Sequence, residues 1–273
     1  MYTPAHFAED RLPVLQALIQ SYPLATLVTL TTNGLVANHI PLKFTLVEPA
    51  AASGPPPAAP AARAIVHGAD ARSRDPDALV ADTSAVPALV GVLRGHVARA
   101  NPIWRDFDPG TDVMAIFQGP QAYISPSWYP TKKEHGRVVP TWNYAVVHAH
   151  GRLLVRDDAA WAHAMVDELT TEHESKRPKP WAVGDAPDDY IAQLTRAIVG
   201  IEIPVTRLAG KWKTSGNQPA VNRAGVAQGL AAGGSDDDRR MAALIAAHDA
   251  PPASTAEPAS RVSVGLPAGP DIG

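Results

Sequence analysis

Residues 25–46 read ATLVTLTTNGLVANHIPLKFTL. Two runs rich in Thr, Val, Leu and Ile flank Thr32-Asn33-Gly34. β-Branched and apolar side chains suit a pleated, half-buried surface. Asn-Gly supplies the positive φ angles that a tight hairpin needs. The stretch therefore predicts a strand over 25–31, a turn, and a return strand over 35–46. Side chains alternate along a strand, so His39 and Lys43 leave one face while Ile40, Leu42 and Phe44 leave the other. A cationic pair beside an apolar row suits an anionic ligand resting on the sheet. The plain alternative is a half-exposed strand with its polar residues in water. Pro41 has no N–H to donate, so the strand must be edge-like or locally unpaired there.

Working outward, Leu12, Leu15, Leu18 and Ile19 recur at helical spacing and predict a helix over 10–21, with Pro13 tolerated in its first turn. Further strands are expected at 89–96, 113–117, 122–125, 141–149, 152–155 and 199–205. Helices are expected at 158–174, 187–198 and 219–230, and a short one opens at Asn101-Pro102. Ser235 is placed to cap a helix over 236–248, with Asp236, Asp237 and Asp238 favouring its N-terminus. Many short strands joined by tight turns point to a mainly β fold with flanking helices, an antiparallel sheet or barrel. No G-x-G-x-x-G or Walker run is present, so a Rossmann or P-loop reading is poor.

The run at 49–62, PAAASGPPPAAPAA, has no large apolar side chain and cannot offset its ordering entropy. With 69–88 it reads as an insertion, with a short strand candidate at 64–67 between them. The expected organisation is one domain over 1–230 carrying the 49–88 insertion, then a helix and low-complexity tail over 231–273.

The chain has 273 residues and a net charge of −3. That balance excludes a strongly basic nucleic-acid coat but not a local basic patch. There is no Cys, which excludes disulfides, Cys-held metals and thiol nucleophiles. No apolar run approaches the ~20 residues of a membrane span. Met1-Tyr2-Thr3-Pro4 lacks the features of a secretion signal, so the expected location is the cytoplasm.

Four clusters carry chemistry. The first is the His39/Lys43 strand. The second is Arg94-Gly95-His96-Val97-Ala98-Arg99-Ala100-Asn101-Pro102, where a strand ends and a helix begins. Backbone N–H groups and the helix dipole favour an anion there, and Arg99 is suited to bidentate phosphate contact. Surface charge is the plain alternative. The third is Tyr123-Ile124-Ser125-Pro126-Ser127-Trp128-Tyr129 with Val139-Pro140-Thr141-Trp142-Asn143-Tyr144. Aromatic plates beside hydroxyls and an amide suit a planar, polar-rimmed ligand, a core corner or a dimer interface. Between these two stretches Lys132, Lys133, His135 and Arg137 form a basic loop. The fourth is Lys211-Trp212-Lys213-Thr214-Ser215-Gly216-Asn217-Gln218, which reads either as a pocket-closing segment or as a connector. His148 and His150 share a strand face and form at most a two-ligand metal pair; ordinary polar strand residues is the other reading. No G-x-S-x-G elbow supports a serine hydrolase.

The opening Met1-Tyr2-Thr3-Pro4-Ala5-His6-Phe7, Asn38-His39-Ile40-Pro41-Leu42, the 95–102 run, and the two aromatic motifs together resemble the PaiB family, the FMN-binding negative transcriptional regulators. The resemblance implies a split β-barrel of the pyridoxamine-phosphate-oxidase and flavin-reductase type, usually homodimeric, with FMN at the subunit interface. It implies that His96, Arg99 and Asn101 lie where the FMN phosphate is held, and that His39 and Lys43 supply cationic contacts to the flavin. Ser125, Ser127, Trp128, Trp142, Asn143, Lys213 and Ser215 complete the expected cofactor set, with no catalytic residue or metal. The family's K-L-S-Q-N-R run is here Lys213-Thr214-Ser215-Gly216-Asn217-Gln218, so ligand contacts at 214, 216 and 218 differ. A repressor is the expected function. An FMN-dependent oxidoreductase and a cofactor-free interaction dimer are the alternatives. DNA contact would fall to loops such as 132–137, because no helix-turn-helix is evident.

Overall fold

The computed structural model describes residues 1–47 and 88–247. The 64–67 strand, nearly all of the expected insertion and the tail beyond 247 lie outside the described residues. In chain order the elements are β1 (Ala8–Glu9), α1 (Leu12–Ser21), β2 (Leu24–Thr31), β3 (Gly34–Pro41), β4 (Lys43–Leu46), β5 (Gly91–Ala98) and β6 (Val113–Ile124). There follow α2 (Lys132–His135), β7 (Thr141–Gly151), β8 (Leu154–Arg156), α3 (Ala159–Glu174), α4 (Asp188–Arg196), β9 (Ile198–Lys213), α5 (Ala220–Ala231) and α6 (Asp236–Ala247).

The hairpin forms as its sequence predicts, with Thr31 opposite Gly34 and Leu24 opposite Pro41. Its turn differs in one respect. Gly34 alone takes a positive φ, +102°, while Asn33 does not. The Thr31 hydroxyl completes the turn, accepting from the Asn33 N–H at 3.1 Å and donating to the Gly34 carbonyl at 3.0 Å. The return strand bends at Leu42, whose N–H donates to the Pro23 carbonyl. Alternation survives the bend, because Ile40, Leu42 and Phe44 are all buried.

Every strand pairing described is antiparallel, and the sheet runs β3-β2-β6-β7-β9-β5-β4. Its two ends, β3 and β4, are consecutive lengths of one strand. The sheet therefore curls until its ends meet at the Leu42 bend, which makes a split β-barrel. β9 is the hinge of this closure. Residues 198–205 pair with β5, and residues 205–213 pair with β7 across a register shift at His150/Gly151.

The contacts divide the chain into two compact units, residues 1–121 with 143–214, and residues 122–142 with 215 onward. The first buries Leu15, Ile19, Leu42, Phe44, Phe117, Ile201 and Ile203. Gly119 belongs to this packing: a Cβ there would stand 2.9 Å from Leu18 Cδ1 and 3.3 Å from the Ala145 carbonyl. The strand there runs unbroken over 113–124 where the sequence suggests two. The second unit packs Ile124, Tyr129, Val226, Leu230, Met241 and Ile245 together. Ser235 caps α6 by accepting from the Asp238 N–H at 3.0 Å.

Candidate functional site

Within the barrel unit the first two sequence clusters meet. The Asn101 side-chain amide donates to Asn38 Oδ1 at 2.8 Å. Asn101 Oδ1 also accepts from the Ile103 N–H at 3.0 Å, capping the turn that Pro102 opens. A cleft of about 600 Å³ opens beside this junction, lined by Val36, Ala37, Asn38, Asn101, Pro102 and Ile103 among others. Its walls mix apolar side chains with carboxamides, the Thr31 hydroxyl and the Asp106 carboxylate.

The cations expected to form one cradle with Asn101 do not converge there. Lys43 reaches α3, where its Nζ lies 2.7 Å from Glu168 and 3.1 Å from Glu172. Burial pulls the Lys43 ammonium down, but hydrogen bonds to the two carboxylates outweigh it and hold its pKa above the ordinary value. His96 also faces α3, lining a hollow of about 350 Å³ with Val166, Leu169, Thr170 and His173. Burial lowers its pKa, and its Nδ1 is buried without a hydrogen-bond partner. Arg99 is held just before the start of α3. It grips Asp157 through both terminal nitrogens, at 2.6 and 3.1 Å, and donates to the carbonyls of Arg196 and Ile198. His39 makes none of these contacts and is exposed on β3. The physical reason is the acidity of residues 157–174, whose carboxylates compete for the nearest positive side chains. In this chain Lys43 docks on the acidic helix α3, and Arg99 on Asp157, two residues before it.

Arg94 and Arg156 are likewise committed, both to the buried Glu202, at 2.9 and 2.5 Å. Burial raises the Glu202 pKa, and the hydrogen bonds from Arg156 and Arg94 more than reverse it.

The fourth cluster also changes character. Lys211 and Lys213 lie on β9, which runs eight residues past the expected end at Val205. Lys211 is buried, donates to the Tyr2 carbonyl at 3.0 Å and sits over the Tyr144 ring. It anchors the N-terminus. Lys213 is half-buried opposite Tyr144, and Asn143 is buried.

In the second unit Ser125 caps the turn over 126–128, its Oγ accepting from the Ser127 N–H. Trp128 is not an open plate. A Cβ at Gly229 would meet its ring at 2.5 Å, and one at Gly225 its carbonyl at 2.2 Å. The indole thus lies against the backbone of α5. Trp142 remains half-exposed, edge-to-face with Tyr123 at 6.3 Å. Ser215 is buried with φ +62°, a conformation that costs a non-glycine residue about 1–2 kcal/mol.

His148 and His150 lie 6.4 Å apart, and Nδ1 of one and Nε2 of the other are buried without partners. Among the described residues no group of three or more His, Cys, Asp or Glu is arranged to hold a metal. No described helix is long and apolar enough to cross a membrane.

Residues 1–207 match the family model described as "Putative FMN-binding domain". An uncharacterized protein of Emericella nidulans is 31% identical over 275 residues, covering 90% of this chain and 96% of that one. The protease synthase and sporulation protein PAI 2 of Bacillus subtilis is 33% identical over 158 residues, 56% of this chain and 71% of its own. Among solved structures, the FAD and heme binding protein from Mycobacterium smegmatis is similar over 75% of this chain and 71% of that one. Its TM-score is 0.42 at 13% identity.

Proposed function

The chain belongs to the FMN-binding domain family matched over residues 1–207, with a relative in the PaiB protein of Bacillus subtilis, and on that premise we propose a homodimeric, cytoplasmic repressor of the PaiB type. FMN is the cofactor that membership assigns. The observation that carries the reading is the Asn38–Asn101 junction beside the cleft. Two of the stretches that resemble the family in sequence, 38–42 and 95–102, pack together, with Asn38 bonded to Asn101 at the cleft and Gly95 against Pro41 and Leu42. A cleft of about 600 Å³ lies within the roughly 300–1,000 Å³ of small-ligand sites.

The isoalloxazine fits these walls. Val36, Pro102 and Ile103 offer apolar contact to the ring, and the carboxamides of Asn38 and Asn101 offer donors and acceptors to its polar edge. The phosphate is matched less well, because the lining includes Asp106 and no Lys or Arg. A second subunit supplying a cation would complete the site. Leu35, 77% exposed on the edge strand β3, supplies apolar surface for such a partner. FMN, when bound, supplies redox chemistry that no side chain here can. The protein's part is to bind and orient it.

The test is the absorbance spectrum of the purified protein, then FMN titration of wild type and Asn101→Ala with light scattering in parallel. The expected result is a flavin spectrum, a dimer, and affinity weakened about tenfold in the variant, the worth of roughly one hydrogen bond to a carboxamide. A colourless protein that leaves FMN fluorescence unquenched would overturn the cofactor part of the reading.

A further inference from the structure

We propose that residues 131–137 form the nucleic-acid contact of this protein, gripping phosphodiester groups through Lys132, Lys133 and Arg137. The inference rests on the regulator reading and names the surface through which it would act.

Several of the described cations are committed to carboxylates. Arg11, Lys43, Arg94, Arg99, Arg152, Arg156, Arg177 and Arg239 each pair with a carboxylate. Lys132, Lys133 and Arg137 are exposed, and none is ion-paired among the described residues. They fall within six consecutive positions that contain one acid, Glu134. In a chain of net charge −3, this segregation of unneutralised positive charge matches a polyanion.

The loop is also built. Thr131 at its base donates to the buried Asn222 Oδ1 through both its hydroxyl, at 3.1 Å, and its N–H, at 3.4 Å. Gly136 turns the chain at φ +68°, and His135 Nδ1 accepts from the Arg137 N–H at 3.0 Å. Lys132 Nζ donates to Ser127 Oγ at 3.4 Å, and a held backbone carrying cations with no carboxylate partner lowers the ordering cost of binding. The His135 Nδ1 acceptor leaves Nε2 as the ring's remaining site, a further donor to phosphate.

The experiment uses the full chain loaded with FMN and a fluorescein-labelled DNA duplex, read by anisotropy across a salt series. The variant is Lys132→Ala/Lys133→Ala/Arg137→Ala, and the control is Lys132→Arg/Lys133→Arg. The triple variant should bind about tenfold or more weakly at low salt, with its log–log salt slope reduced by about two to three, near 0.9 per lost contact. The Arg control should bind as wild type does, and FMN affinity should be unchanged in both. Equal affinity and slope in wild type and triple variant would overturn the proposal while leaving the regulator reading intact. A wild type that binds no DNA would overturn both. Loss of FMN affinity in the triple variant would place the loop at the cofactor and overturn the proposal alone.

Discussion

At the scale of single residues, Trp128 shows how a motif that suits a ligand can serve packing instead. Its aromatic neighbours and hydroxyls read equally well as a plate for a planar ligand. What decides is Gly225 and Gly229, one turn apart on a helix almost a hundred residues later. Alanine at 229 gains about 1 kcal/mol of helix propensity, but its Cβ would enter the indole at 2.5 Å. Overpacking of this kind costs about 1–3 kcal/mol. Gly229→Ala should therefore lower the thermal midpoint, whereas Gln228→Ala on the exposed side should leave it unchanged. Unfolding followed by tryptophan fluorescence distinguishes the two; a stabilised Gly229→Ala would mean that the indole does not lie against α5. Asn101 is the opposite case. Its two roles, cap and partner of Asn38, were half legible: Asn-Pro announced the cap, but nothing local to 101 points to residue 38. Gly34 was legible for the right reason, although the positive φ falls on glycine alone.

At the scale of elements, local pattern carried the hairpin, α1, α3 and α6, because the hairpin and α1 show their periods, and α3 and α6 their caps Asp158 and Ser235, within their own residues. It failed on β9. The apolar run stops at Val205, and Thr206-Arg207 looks like an ending. The strand continues because a register shift hands it from β5 to β7, a fact fixed by partners elsewhere in the chain. The cation cradle failed for a related reason. A strand's alternation tells which face Lys43 leaves, but not that an acidic helix covers that face. From this follows an expectation for Lys43→Met. Losing the bridge to Glu168 and Glu172 leaves two carboxylates one helical turn apart, unneutralised. With these groups partly exposed, urea denaturation should register a loss of no more than about 1 kcal/mol. FMN affinity should stay within about twofold. A variant of wild-type stability that had lost FMN would restore Lys43 to the cofactor.

At the scale of the whole molecule, acid is the condition that the fold is built to resist least. Burial first, then the charges of the N-terminus, His150 and Arg207, press the His148 pKa down to about 4 from its ordinary 6.5. His150 is lowered too, chiefly by burial and by Arg207. Between pH 6.5 and about 4 the unfolded chain therefore binds more protons than the folded one, and stability falls as pH falls. A second loss begins lower, where Glu202 and Glu9, both held below 4.5 by arginine hydrogen bonds that outweigh burial, must be protonated. The groups whose pKa is raised, Lys43 among them, add a loss only at strongly alkaline pH. Melting temperature should accordingly begin to decline as pH falls below 6.5, above the range near 4.5 where the loss linked to Glu202 and Glu9 sets in. His148→Gln keeps a polar, uncharged side chain on β7 and should flatten that first decline while leaving the carboxylate limb in place. A wild-type profile already flat between pH 6.5 and 4.5 would show that the two imidazoles take up their protons without cost, and that this face of the barrel is open to water.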